Sequence, residues 1–223
     1  MTSELLSSGP VAIRRISVSA MDNNVYLLTS RRTGIQVLID AADDAPAIAD
    51  LLADGAKDLD RSATAAGIVP GLALVVTTHA HWDHVRALAA VVAATGARTA
   101  AGAADAAAID VPTDVALDDG DVGTFDDFDL EAIELRGHTP GSVALLYRSK
   151  AGPAHLFTGD SLFPGGVGNT EKDPARFTQL YTDVVERIFN VLPDDTVVHP
   201  GHGAGTTLGA ERPHLLEWRA RGW

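Results

Sequence analysis

The chain has 223 residues and a formal net charge of −13, with 46% hydrophobic but only 5% aromatic residues. That length and apolar share suffice for one domain over residues 1–223 with a core of Ala, Val, Leu and Ile. The acidic balance argues against nucleic acid or an anionic membrane as partner, because phosphate contacts need a basic patch. There is no cysteine, so neither a disulfide nor a thiolate metal ligand is available.

Met1–Pro10 lacks a basic segment followed by an apolar one, so no signal peptide is expected. No apolar run reaches the length of a membrane span, and a cytoplasmic location is expected. Val11–Val18, Val25–Thr29 and Ile35–Ile39 read as strands joined by short polar turns. Pro46–Ala53 and Asp58–Ala66 read as helices, the first opened by Asp44 or Ala45 before Pro46. Leu72–Thr77 is a continuous, β-branched apolar run and reads as a buried strand.

His79-Ala80-His81-Trp82-Asp83-His84 follows that strand and offers four metal-binding groups within six residues. Side chains two apart on an extended segment point the same way, so His79 and His81 can grip one ion. Asp83 and His84 fall where the chain turns into the next helix and can face a second ion. The competing reading is a polar loop with surface histidines; the clustering argues against it.

Asp83–Thr95 reads as a helix, Arg98–Ala101 as a strand, and Ala103–Ile109 as a short helix of low-complexity surface. Val115–Leu117, Val122–Phe125, Phe128–Leu135, Val143–Arg148 and His155–Thr158 read as strands separated by Gly and Asp turns. Asp118-Asp119-Gly120-Asp121 lacks the ligand spacing of a calcium loop and reads as a hairpin turn. Pro174–Leu192 has the apolar stripe of a long amphipathic helix. Thr196–Val198 is a strand and Glu211–Arg219 a short helix. Strands then helices recur in both halves, which predicts two sheets packed face to face with helices outside.

Three further loops carry chemistry-bearing residues: Gly137-His138-Thr139-Pro140-Gly141-Ser142, Thr158-Gly159-Asp160-Ser161, and His199-Pro200-Gly201-His202-Gly203. Each follows the end of an apolar strand, where open sheets place their sites. Taken singly, a histidine beside glycine is more often structural. Together, five His and two Asp suffice for two ions: His79, His81 and His138 for one, Asp83, His84 and His202 for the other, with Asp160 bridging. The donor set suits zinc, iron or manganese. His199 reads equally as a strand-end residue or as a group orienting a ligand. His155 and His214 read as surface or packing residues, Tyr181 as core, and Ser161 as a hydrogen-bonding turn residue.

In this order, His79–His84, Gly137–Ser142, Gly159-Asp160 and Pro200–Gly203 resemble the metallo-β-lactamase fold superfamily. The likeness begins at Asn24-Val25-Tyr26-Leu27 and Ile39-Asp40. It implies an α/β fold, an αβ/βα four-layer sandwich of two mixed β-sheets flanked by helices, with two divalent metal ions at one edge. Within it, Gly159-Asp160-Ser161-Leu162-Phe163 and Gly165-Gly166 resemble the short glyoxalase II-like (hydroxyacylglutathione hydrolase-like) group, as does Thr206–Arg212. True β-lactamases of this fold lack a bridging Asp at the position of Asp160.

The pattern departs at Ala87, where the group usually has Gly, and at Val167-Gly168-Asn169, where it often has Cys-Gly-Arg. Only 21 residues follow His202, too few for a glutathione-holding helical region, so glutathione specificity is not expected.

The resemblance implies a thioesterase that cleaves a small-molecule acyl thioester or ester with a metal-bridging hydroxide, Asp83 binding metal and orienting that hydroxide. A mononuclear iron persulfide dioxygenase using His79, His138 and Asp160, and a lactonase or phosphodiesterase, are the alternatives within the fold. A metal-binding module without turnover is the alternative outside catalysis. Oligomeric state is open.

Overall fold

A computed structural model describes residues 3–222; Met1 and Thr2, which open the segment without a signal-peptide pattern, lie outside the described residues, as does Trp223. Seven strands form the first sheet, in sequence order: β1 (Glu4–Ser8), β2 (Val11–Val18), β3 (Asn23–Ser30), β4 (Ile35–Ile39), β5 (Gly71–Thr77), β6 (Arg98–Gly102) and β7 (Val115–Leu117). β1 to β4 pair antiparallel, and β4 to β7 pair parallel. The second sheet holds β8 (Val122–Phe125), β9 (Phe128–Glu134), β10 (Val143–Tyr147), β11 (His155–Gly159), β14 (Val197–Pro200) and β15 (Thr206–Thr207). A small hairpin, β12 (Leu162–Phe163) with β13 (Gly166–Val167), stands apart from both.

Alternation along the strands sorts the apolar residues into three layers. Tyr26, Leu28, Val37, Ile39 and Val76 of the first sheet meet Phe128, Leu130, Leu145 and Phe157 of the second. The opposite face of the first sheet, with Val25, Leu27 and Leu38, is covered by α1 (Ala45–Ala56) and α3 (Leu88–Thr95) through Ile48, Leu51, Leu88 and Val91. The outer face of the second sheet is covered by α4 (Pro174–Asp183) and α6 (Leu215–Arg221), through Phe177, Leu180 and Trp218. The result is the expected αβ/βα sandwich. Among the described residues no helix is long and apolar enough to cross a membrane.

The differences from the sequence reading have local causes. β1 was not expected; it is an edge strand whose polar residues give no clean alternation, and it forms by pairing with β2. α1 starts earlier, capped by Asp44, whose side chain accepts from the Ala47 amide, and α2 (Arg61–Ala65) is shorter than expected and capped by Asp60. The helix expected over Asp83–Thr95 begins only at Leu88. Trp82–His84 forms a single 3-10 turn instead, because Asp83 and His84 are held by buried partners described below.

Ala103–Ile109 collapses to one 3-10 turn at Ala106–Ala108, and Asp105 beside it is buried. Asp118–Asp121 is no hairpin: β7 belongs to the first sheet and β8 to the second, so this exposed segment crosses between them. α4 continues into a widened π turn, Val184–Phe189, that keeps Val184, Ile188 and Phe189 in the core. The C-terminal helix is split: α5 (Leu208–Glu211) and α6 flank a 3-10 turn, Arg212–His214, that contains Pro213. β15 was also unexpected.

β9 and β11 both run antiparallel to β10, and β14 runs parallel to β11. Three strands of the second sheet therefore end on one edge. The end of β5 and the start of β3 meet the second sheet there: the Val143 amide donates to the Thr78 carbonyl at 2.9 Å and the Asn24 amide to the Gly201 carbonyl at 2.7 Å.

Candidate metal centre

All seven expected side chains converge on that edge. His79 Nε2, His81 Nδ1 and His138 Nε2 lie 3.0 to 3.3 Å apart. His84 Nε2 lies 3.2 Å from His202 Nε2, and Asp83 Oδ2 lies 3.3 Å from His202 Nε2 and 3.6 Å from His84 Nε2. Asp160 reaches both groups: its Oδ2 is 3.4 Å from His202 Nε2 and 3.7 Å from His138 Nε2, while its Oδ1 is 3.5 Å from His84 Nε2.

Such spacings fit an ion better than a hydrogen-bond network. Ligands held at 2.0–2.1 Å around a tetrahedral zinc stand roughly 3.3 Å apart. Asp160 Oδ1 is buried with no hydrogen-bond partner, an orphan that a cation would satisfy. Three groups drawn from these residues, His79/His81/His138, His79/His84/Asp160 and Asp83/His84/His202, each bring ligand atoms within 4.8 Å of one another.

The remote ring nitrogens fix the tautomers. His138 Nδ1 donates to the Asn169 carbonyl at 2.7 Å, His202 Nδ1 to the Met21 carbonyl at 2.8 Å, and His84 Nδ1 to Asp40 Oδ2 at 2.9 Å. With Nδ1 donating, Nε2 is the nitrogen left to face a cation, and at His84 and His202 a bound cation would take the place of the second ring proton. Asp83 is fixed by Asn23, whose Nδ2 donates to Asp83 Oδ2 at 3.0 Å and to the Asp83 carbonyl at 3.2 Å.

Burial pushes His79 well below the usual imidazole range and His138 down as well. Burial also opposes a charged His84, but Asp40 and Asp160 override it and hold this ring up at about 10. Asp160 is the converse case. Desolvation would raise it, and the neighbouring His202 and His84 rings hold it well below the usual carboxylate range.

Asn23, Asp40, Thr78 and Asp105 carry much of this arrangement, and none was singled out from the sequence for a role in it. Asp40 offered a signal, since an acidic residue ends the apolar run of β4. Its φ of 58° is the left-handed region that few side chains adopt, and such strain gathers at functional sites.

His199 does not orient any of the seven. It faces inward from β14, with its Nε2 2.9 Å from His155 Nδ1, stacked on Phe157 and close to Tyr26. His155 is a buried packing residue, and His214 is exposed, 3.4 Å from Glu217. Tyr181 is half-buried and donates to the Leu215 carbonyl at 2.9 Å. The Ser161 hydroxyl, expected to bond in its turn, is buried without a partner; its backbone amide makes the turn instead, donating to the Thr158 carbonyl.

A cleft of about 530 Å³ opens onto the three-histidine group between His81, His138, Pro140 and the Ala175, Arg176 and Gln179 face of α4. A larger cavity, about 990 Å³, lies beyond Gly168–Asp173 against α4 and Arg219 and is lined by none of the seven side chains.

The sequence profile of the metallo-beta-lactamase superfamily matches residues 19–202, which spans every one of these side chains. The chain belongs to the metallo-beta-lactamase superfamily. Within the superfamily, a protein of Fuscovulum blasticum named hydroxyacylglutathione hydrolase is 32% identical over 194 residues, covering 86% of this chain and 67% of that protein. A mitochondrial persulfide dioxygenase of Homo sapiens is 31% identical over 205 residues, covering 88% of this chain and 70% of that one. The di-iron-bound crystal structure of TTHA1623 has a TM-score of 0.65 at 28% identity, covering 89% of this chain and 96% of that one.

Proposed function

We propose that the protein is a binuclear metal-dependent hydrolase of acyl thioesters. The observation that carries this reading is Asp160, whose carboxylate faces both groups of ligands while one of its oxygens is buried and unpaired. His79, His81 and His138 would hold one ion, Asp83, His84 and His202 the other, and Asp160 both. Two divalent ions there, zinc, iron or manganese, would supply a water ionised near neutral pH and a Lewis acid for the carbonyl.

The chain's own residues do the rest. Asp83, fixed by Asn23, orients the attacking water through its carboxylate. Arg176 shapes the wall of the cleft by donating to the carbonyls of Gly137 and His138. The cleft leads from solvent to the three-histidine group, so the acyl carbonyl enters beside His81 and His138. A thiolate leaves without a general acid, because its conjugate acid has a pKa of about 8.5. The relative named hydroxyacylglutathione hydrolase supports the thioester class. The test is metal analysis with hydrolysis of S-lactoyl and other acyl thioesters, comparing Asp83→Ala and Asp160→Ala. Full activity in metal-free protein would sink the reading.

The similarity to a persulfide dioxygenase supports a second reading, one iron held by His79, His138 and Asp160. Oxygen uptake with glutathione persulfide discriminates. The completeness of the Asp83/His84/His202 group favours the hydrolase.

A further inference from the structure

We propose that Asp105 is the positioning residue that assembles the three-histidine half of the centre, by clamping the loop that carries His79 and His81 to the loop that carries His138. This rests on reading that half as a metal site, and the experiment below separates the two.

Asp105 sits in an alanine run, Ala103–Ala108, that looks like featureless surface in the sequence. Its side chain is nevertheless buried, at 2% exposure. Oδ2 accepts from the Ala80 amide at 2.9 Å and from the Thr139 hydroxyl at 2.6 Å, and Oδ1 accepts from the Gly141 amide at 2.7 Å. Ala80 stands between His79 and His81, and Thr139 follows His138. One carboxylate from a third element, the turn after β6, thus grips both loops beside their ligands. Hydrogen bonds to an ionised acceptor are the strong kind.

The two loops need such a tie. One leaves β5 in the first sheet, and the other joins β9 to β10 in the second. The approach is close enough to exclude a side chain: a Cβ on Gly141 would stand 2.4 Å from the Asp105 amide nitrogen. The spacing of 3.0 to 3.3 Å between His138 Nε2 and the ring nitrogens of His79 and His81 depends on where those loops are held. The other half takes its support elsewhere, from Asp40, Asn23 and the Met21 carbonyl, and its three residues make no hydrogen bond to Asp105. Loss of Asp105 should therefore damage one half and spare the other.

Metal-free wild-type protein is compared with Asp105→Ala, Asp105→Asn and Thr139→Val, first by amide hydrogen exchange and then by Co²⁺ titration against a competing chelator. In Asp105→Ala the Ala80 and Gly141 amides are expected to lose protection together. One of two Co²⁺ sites should weaken about 10- to 100-fold, the usual effect of removing support behind a ligand, with the other unchanged. Asp105→Asn keeps an acceptor for Gly141 but not for Ala80, and Thr139→Val removes one bond of three; both fall between, and they carry the comparison should Asp105→Ala not fold. Protection retained at both amides, or equal weakening of both sites, would overturn the proposal. Wild-type protein that binds no Co²⁺ while the variant still loses amide protection would sink the metal reading and keep the clamp.

Discussion

Asp40 Oδ2 accepts from His84 Nδ1 at 2.9 Å, and the same oxygen accepts from the Thr78 hydroxyl at 2.8 Å, whose own oxygen lies 3.0 Å from His79 Nδ1. One buried carboxylate therefore orients an imidazole in each half of the centre. Asp40→Asn is the informative substitution, because asparagine tolerates the left-handed backbone that Asp40 adopts. Metal retention after dialysis against a chelator should fall about 10- to 100-fold. Metal content equal to that of the wild type would show that the imidazoles are oriented without Asp40.

Gly201 leaves no room for a larger residue. A Cβ there would stand 2.3 Å from Asp160 Oδ1 and 2.8 Å from His84 Cε1. Gly201→Ala must therefore push Asp160 aside. The expected outcome is a folded protein, by circular dichroism, that has lost bound metal and most of its hydrolytic activity. A fully loaded, active alanine variant would mean that Asp160 is dispensable.

Arg176 donates through Nε to the Gly137 carbonyl at 2.8 Å and through Nη2 to the His138 carbonyl, with Nη1 2.7 Å from Glu171. Lysine is a point donor and cannot span both carbonyls. Losing one such bond costs about 1 kcal/mol, so Arg176→Lys should slow thioester hydrolysis about fivefold. Metal content should not change, because the His138 ring keeps its bond to Asn169. Steady-state kinetics beside metal analysis reads both outcomes.

His155 and His199 give the fold a dependence on acid. Burial, then His155 and then Arg15, push His199 down to about 3, and burial lowers His155. An unfolded histidine titrates near 6.5, so below that pH the unfolded chain binds protons that the folded chain refuses. The contribution of this pair is therefore complete above about 6.5 and falls with decreasing pH, by up to about 1.4 kcal/mol per pH unit for each such group. Denaturant melts of metal-free protein between pH 4 and 7 should show this slope flattened in His155→Leu/His199→Leu. An unchanged slope would assign the acid sensitivity elsewhere.

The ligands were legible because strand ends are. β5, β9, β11 and β14 announce themselves as apolar runs, and each is followed within a few residues by His or Asp. The supports were harder to read. Asp105 acts through hydrogen bonds to Ala80 and Gly141, whose backbone amides carry no sequence signal, and Asn23 reaches Asp83 across 60 positions. Helix breaks were missed for a related reason. Asp83 and His84 have adequate helical pattern, but their side chains are claimed by Asn23 and Asp40. At Asp118–Asp121 the local chemistry of a turn was right, while its partners, two different sheets, are fixed only by long-range packing.

Neither ligand group is confined to one sheet. His79, His81, Asp83 and His84 hang from the first, and His138, Asp160 and His202 from the second. The exposed crossover at Asp118–Asp121 is where these two sets part along the chain. A protein severed there would yield two fragments, each with its own sheet and helices, and neither with a full coordination set. Metal uptake would then report reassembly of the fragments, making the centre a built-in complementation assay for the sandwich.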